Sequence, residues 1–224
     1  MNFSTSISKS FQTDILIIGS GSAGAVAAIA AANPKYKVTI VERYGFPGGS
    51  STQMLDTFYG FFTPADTPKK IIGGIPDLIV NELHKSGDIF LRPNTYGAGT
   101  GVNYNPEKLK EVWDRLLQKN NIQTIYHSTL VGIKSIHETA TCVFFNKGIG
   151  FFTIEAKRII DASGDADYCH IAGIPYEKAG ELEPAQSMTT TFRMSNVDLK
   201  EFDAAGGKKM MQERMLTAYE TGSH

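Results

Sequence analysis

Residues 14–42 read DILIIGSGSAGAVAAIAAANPKYKVTIVE, and no other stretch constrains the fold as much. Residues 15–19 are apolar or glycine and predict a strand buried on both faces. Gly19, Gly21 and Gly24 stand in G-x-G-x-x-G spacing. An alanine-rich run from Ala23 to Ala32 follows, with no helix breaker between Gly24 and Pro34. A second apolar strand, residues 38–41, ends on Glu42. Strand, glycine turn, helix, strand and terminal acid within about thirty residues form the layout of a dinucleotide-binding βαβ unit.

Each residue type has a physical task there. Gly19 permits a tight turn, Gly21 a close backbone approach to a pyrophosphate, and Gly24 close packing of helix on sheet. Ala27, Ala28 and Ala31 keep that contact thin. The helix start offers free N–H groups and a partial positive charge to phosphates. Glu42 follows Gly24 by eighteen positions, near the usual spacing for an acid that accepts from both hydroxyls of an adenosine ribose. A carboxylate there repels a 2′-phosphate, which argues against NADP. A glycine turn in an ordinary α/β domain would leave the glycines and the acid unexplained together.

The rest of the chain bounds the function class. Net charge is −1 over 224 residues with no basic tract, so nucleic acid is not an expected partner. Cys142 and Cys169 form no metal or C-x-x-C pattern and read as free thiols in a reducing compartment. The first residues lack the apolar core of a signal peptide, and no apolar run reaches about 18 residues. A cytoplasmic, non-membrane protein without a metal site is the expectation.

Along the chain, residues 1–13 read as a loose polar leader. Gly48, Gly49, Ser50, Ser51 and Thr52 form a second turn rich in small residues and backbone N–H groups, suited to a phosphate or a flat ring. Apolar residues at helical spacing predict a helix from Ile75–Pro76 to Ser86, stopped by Gly87. Residues 92–103 are glycine-rich and read as a loop or connector. Asn105 caps, and Pro106 begins, a helix whose Leu109, Val112, Trp113, Leu116 and Leu117 form a core stripe. Ile122, Thr124 and Tyr126 predict a short strand. Residues 130–136, 141–145 and 150–156 predict an antiparallel meander. Residues 158–162 predict one more buried strand running into Ser163-Gly164-Asp165. Residues 187–194 read as a strand and 208–219 as a helix.

Taken together, DILIIGSGSAGAVAA with Glu42, FPGGSST, NPEKLKEVWDRLL and RIIDASGDADYCHIAGIP resemble the N-terminal half of the FAD-dependent oxidoreductases of the glutathione-reductase structural class. Within that class the chain is most similar to the bacterial FAD-dependent oxidoreductases related to fumarate reductase flavoproteins and the heterodisulfide-reductase flavin subunit. The resemblance implies an α/β fold: a Rossmann-like FAD/NAD(P)-binding domain with parallel sheet and β-meander over residues 1–183, then the start of a substrate domain over 184–224. It implies FAD as cofactor. Gly19, Gly21, Ser22, Ala23 and Gly24 would hold the pyrophosphate and Glu42 the adenosine ribose, with Arg43 among the cofactor-binding residues. Gly48, Gly49, Ser50, Ser51 and Thr52 would run towards the flavin, Val131 would meet the adenine, and Ala162, Ser163, Gly164 and Asp165 would pack nearby. Ser163 replaces the more usual threonine of that motif.

Relatives of this kind are roughly twice as long, so the resemblance also implies a partner chain or a C-terminal half. The expected activity is hydride or electron transfer between a small-molecule substrate and FAD. Two alternatives stand beside it: a nucleotide-binding fragment or subunit of a split flavoprotein, and an NAD-dependent dehydrogenase, against which the meander argues. No residue presents itself as the catalytic acid or base. His127 and His170 are the nearest candidates, with structural roles more usual for both. His84 reads as surface or packing. Cys169 lacks a redox partner. Asp56, Tyr59, Phe61 and Phe62 could face the flavin or simply pack.

Overall fold

A computed structural model describes residues 6–54, 58–63, 67, 69–93, 100–136, 138–188, 190–192 and 194–222. The chain divides into two compact units, Met1–Met188 and Thr189–His224.

The first unit is built on one six-stranded sheet. Its strands are β1 (Ile7–Ile18), β2 (Val38–Val41), β6 (Gln123–Ile125), β7 (Ser128–Ile136), β8 (Ala140–Asn146) and β9 (Gly150–Asp161), in the order β6-β2-β1-β9-β8-β7. The pairings β2–β6, β1–β2 and β1–β9 are parallel, whereas β8–β9 and β7–β8 are antiparallel. Helix α1 (Ser22–Ala31) makes the crossover between β1 and β2. This is the α/β, Rossmann-like architecture that the glycine fingerprint and the period-two segments predict.

Alternation along β1 explains why both faces are covered. Leu16 and Ile18 point into a cluster with Val41, Cys142, Phe144, Phe152, Ile154 and Tyr168. Ile17 points the other way, to Ala28, Val38, Ile40, Leu117 and Ile122. On that side α1 packs with α3 (Ile75–Lys85) and α4 (Pro106–Lys119) around Ala25, Ile79, Leu83, Leu109 and Trp113. Trp113 is fully buried, as its place on the helical stripe predicts. The Asn105 side chain accepts from the Glu107 N–H and caps α4.

The structure corrects four expectations. Residues 7–13 are not a loose leader: β1 starts at Ile7, and its first half pairs with residues 151–156. Their polarity misled because the outer end of the sheet has a solvent face, where hydroxyls of Ser10 and Thr153 meet at 3.0 Å. Residues 150–156 and 158–162 are not two strands. They form the single twelve-residue β9, antiparallel to β8 at its start and parallel to β1 throughout. The glycine-rich segment holds β5 (Thr100–Tyr104), which pairs antiparallel with β3 (Phe58–Tyr59) and β4 (Ile89–Pro93) in a second, three-stranded sheet. Residues 94–99 lie outside the described residues, as does Asp56. The described residues of 187–194 contain no strand.

The second unit contains α6 (Leu199–Ala204), which the sequence reading missed, and α7 (Gly207–Thr221). The Asp198 side chain caps α6 by accepting from the N–H groups of Lys200 and Glu201.

Phe152 stands where the meander meets the parallel strands, edge-on to Phe11 at 5.7 Å and stacked on Phe144 at 5.4 Å. Phe152→Ala is expected to destabilise the first unit by about 3–5 kcal/mol, read from urea unfolding followed by circular dichroism.

Candidate functional site

Three turns meet where β1, β2 and β9 end. The chain leaves β1 through Gly19, whose φ of 94° is left-handed. A Cβ at Gly24 would lie 1.9 Å from the Gly19 carbonyl oxygen, so only glycine lets α1 turn back so closely on its own strand. The second turn enters from residue 48: its N–H donates to the Ser20 carbonyl at 2.7 Å, and Gly48 bridges Gly21 in parallel register. Gly49 has φ 54° and ψ −129°, and a Cβ there would stand 2.8 Å from the Gly21 Cα. The third turn follows β9, where the Ala162 N–H donates to the Ile18 carbonyl at 2.9 Å.

Between these turns lies a cleft of about 600 Å³, a size suited to a cofactor. Of the residues singled out in the sequence, Gly19, Gly21, Ser22, Ala23, Glu42, Arg43, Gly49, Ser50, Ala162, Ser163, Gly164 and Asp165 line it. Gly24, Gly48, Ser51 and Thr52 do not. They shape the wall from behind: the Ser51 hydroxyl bonds the Gly48 carbonyl at 2.6 Å, Thr52 the Pro47 carbonyl at 2.8 Å, and Tyr104 the Ser51 carbonyl at 2.9 Å.

Val131 is also absent from the lining and is exposed. The ladder steps from Leu130–Phe144 to Gly132–Val143, so Val131 is the extra residue of a β-bulge. Ser128, Thr129 and Leu130 line the cleft instead. A bulge shifts register by one residue, and no residue pattern in β7 announces it.

Glu42 is 4% exposed, and its carboxylate is held on both oxygens. Oε2 accepts from the Ser20 backbone N–H at 2.7 Å and from the Ser20 hydroxyl at 2.8 Å. Oε1 accepts from the Tyr44 N–H at 2.9 Å. These are charge-assisted bonds to a buried acid, the arrangement that keeps a carboxylate oriented out of water. Sequence reasoning missed Ser20 and Tyr44. Ser20 occupies a variable position of the glycine pattern, and nothing in spacing alone pairs it with an acid 22 residues on.

At the opposite wall, Asp161 organises the turn after β9. It accepts from the Ser163 hydroxyl at 2.6 Å, the Ser163 N–H at 3.1 Å and the Cys169 N–H at 3.0 Å. The Ser163 oxygen in turn accepts from the N–H of Asp167, the first residue of α5 (Asp167–Ala172), at 2.9 Å. Burial pushes the Asp161 carboxyl up, but the bonds from Ser163 and Cys169 outweigh it and hold the group below the usual carboxylate range. Across the mouth, Arg43 and Asp165 form an exposed ion pair at 3.9 Å.

The remaining candidates fall outside the cleft lining. His127 is left-handed and exposed, its ring packed where a Gly45 side chain would otherwise stand. His170 is exposed and bonds the Tyr176 hydroxyl at 2.8 Å. Burial pushes the Cys142 thiol up to about 12, and burial with the Asp161 carboxylate raises that of Cys169, so neither is a ready thiolate. Tyr59 stacks between Phe61 at 5.2 Å and Tyr104 at 4.7 Å, a packing arrangement. His84 lies in the last turn of α3, and Phe62 bridges Lys70. Among the described residues no cluster of His, Cys, Asp or Glu could hold a metal, and no helix is long and apolar enough to cross a membrane.

The chain resembles known proteins in sequence and in fold. A family model described as FAD dependent oxidoreductase matches residues 14–222. No curated protein matches the chain at a significant level. Among solved structures, a flavoprotein/dehydrogenase from Cytophaga hutchinsonii is similar at TM-score 0.51 and 18% identity, covering 72% of this chain and 42% of that one. The p-nitrophenol 4-monooxygenase of Pseudomonas putida is similar at TM-score 0.51 and 12% identity, covering 74% of this chain and 44% of that one. A myxobacterial FAD-dependent chondrochloren halogenase gives TM-score 0.50 and 16% identity, covering 69% and 38%. At these identities the likeness is one of fold. The chain spans less than half the length of each of these structures.

The Asp161 network gives a pH-dependent expectation. A carboxyl held low in the folded state contributes stability above its unfolded value near 4, and that contribution is lost as pH falls through the folded value. Asp161→Asn should therefore be less stable than the parent at pH 7, by about 1–2 kcal/mol. The difference should begin to narrow near pH 4 and close only as pH falls through the lower folded value, checked by thermal unfolding across that range.

Proposed function

The chain belongs to the FAD-dependent oxidoreductase family, and from that premise we propose that it holds the adenosine-diphosphate half of FAD in the cleft at the ends of β1, β2 and β9. The observation that carries this reading is the joint presence of a side-chain-free cradle and an anchored acid in one cleft. Gly19, Gly21 and Gly49 bring backbone, not side chains, to the centre of the site, which suits a pyrophosphate. Ser22 and Ala23 begin a helix whose start carries no capping side chain, leaving its first N–H groups for phosphate oxygens. Glu42 would accept from the adenosine ribose. The adenine end would lie towards Ser128, Thr129 and Leu130, and Ala162, Ser163 and Gly164 would close the other wall. Arg43 would stand near the ribose and phosphates, with Asp165 neutralising it when they are absent.

The bound flavin would supply the redox chemistry, taking up or giving a hydride or electrons from a small-molecule substrate. The chain's own residues bind and orient. The titratable groups that line the cleft among the described residues are Glu42, Arg43, Tyr44, Asp165 and Asp167. The relatedness to fumarate reductase flavoproteins and the cytoplasmic location remain part of this proposal. The domain reading does too: residues 1–183 as the cofactor domain and 184–224 as the start of a substrate domain. A second reading is favoured by the short coverage of the solved structures: this chain is one part of a two-part flavoprotein, with substrate groups and closure over the flavin supplied by a further segment or partner chain. An NAD-dependent dehydrogenase is disfavoured by the meander that replaces continued βα units.

The test is titration of the purified protein with FAD, followed by desalting and an absorbance spectrum. Flavin bands that co-elute with folded protein support the reading, whereas their absence from folded protein sinks it. Gly49→Ala, at a backbone conformation only glycine tolerates, and Glu42→Ala should each weaken FAD binding about tenfold or more while the circular dichroism spectrum is kept. Binding of NAD in place of FAD would support the dehydrogenase alternative.

A further inference from the structure

Ser20 is the residue that fixes the ribose-reading acid. It is fully buried, and it spends both of its donors, the backbone N–H and the hydroxyl, on one oxygen of Glu42. A carboxylate has about four acceptor positions. Ser20 fills the two on Oε2, and the Tyr44 N–H fills one on Oε1. One acceptor position remains, on Oε1, and Glu42 lines the cleft. The arrangement therefore leaves the acid a single well-placed acceptor for a ligand hydroxyl, not the two that the sequence alone predicts.

We propose that Ser20 is a positioning residue: its hydroxyl clamps Oε2 of Glu42 so that Oε1 is presented to one hydroxyl of an unphosphorylated adenosine ribose. The backbone N–H would act at this position with any side chain, whereas the hydroxyl is particular to serine here. Clamping from one side has two consequences. It prevents Glu42 from swinging out of the cleft wall, so the orientation cost of binding is met on folding. It also keeps the negative charge fixed where a 2′-phosphate would have to sit, which sets the preference against phosphorylated ribose. The inference rests on the proposal that the cleft holds FAD.

The experiment is a double-mutant cycle on the full chain, with FAD binding read by flavin fluorescence. Ser20→Ala should raise the FAD Kd roughly ten- to hundredfold, the value of a buried hydrogen bond to a charged group. In the Glu42→Ala background the same substitution should change Kd less than twofold, because the clamped group is gone. As a specificity readout, competition by adenosine 5′-monophosphate and adenosine 2′,5′-bisphosphate should differ less in Ser20→Ala than in the parent. Ser20→Cys, which keeps a donor at the same position, though a weaker and larger one, should fall between parent and alanine and serves if Ser20→Ala does not fold. An unchanged Kd in Ser20→Ala, or in Ser20→Cys where alanine fails, overturns the inference. So does a loss that persists in the Glu42→Ala background, which would mark Ser20 as merely structural. Parent protein that is folded but does not bind FAD overturns the cofactor reading itself, a result distinct from either.

Discussion

Backbone-to-backbone contact at the carboxyl ends of three parallel strands is the constraint on which the rest of the first unit depends. Gly24 lets α1 return against the Gly19 carbonyl, and Gly49 meets Gly21 where a side chain on Gly49 would intrude. Removing side chains from these positions costs conformational entropy, since glycine is the freest residue in the unfolded chain. The cost is offset by what surrounds the turns. Ile17, Ala25 and Ala28 are fully buried next to the first turn, and Leu16 is fully buried on the opposite face of β1. Close packing thus lies next to the place where the chain is barest. A cleft with a rigid floor and a side-chain-free wall follows from that combination.

The acid at the end of β2 illustrates how the same packing produces chemistry. A carboxylate at 4% exposure would be unfavourable without partners. Ser20 and Tyr44 lie in the residues just after β1 and β2, and the parallel register of those strands brings both turns to the same end of the sheet. The donors reach Glu42 because the fold aligns the strand ends, and the fold aligns them because Ile15–Val38 through Ile18–Val41 pair in register. Asp161 repeats the device after β9, with Ser163 and Cys169 as donors. Two strand-end acids, each satisfied by its own turn, therefore stiffen the walls of the cleft on opposite sides.

Much of this was legible from residue order. The βαβ unit, the capped helix at Asn105, the Trp113 stripe and the meander all rest on local periodicity, and local periodicity is what sequence displays best. What escaped reading depends on non-local pairing. Residues 7–13 look like coil because most of their side chains face solvent, and their strand character comes from partners more than 140 residues away. Residues 150–161 look like two strands because Lys157 and Arg158 interrupt the apolar pattern, yet Lys157 lies on the surface and pairs with Asp14 without disturbing the ladder. The bulge at Val131 has no local pattern to announce it, and Ser20 was overlooked because its partner lies across the crossover.

The second unit marks the other limit of local reading. Its helices were partly legible, α7 from composition and α6 not at all, because six residues give too short a period to recognise. Among its described residues only Gly207 is buried, while Phe192, Leu199, Met215, Leu216 and Tyr219 are exposed. Its cap at Asp198 and its hydrogen-bonded helices supply local order, and local order without a core is marginal. The first unit shows the converse, since its sheet is packed on both faces. The buried hydrophobic residues of the first unit, Leu16, Ile17, Phe144, Phe152 and Trp113 among them, are where its stability is concentrated.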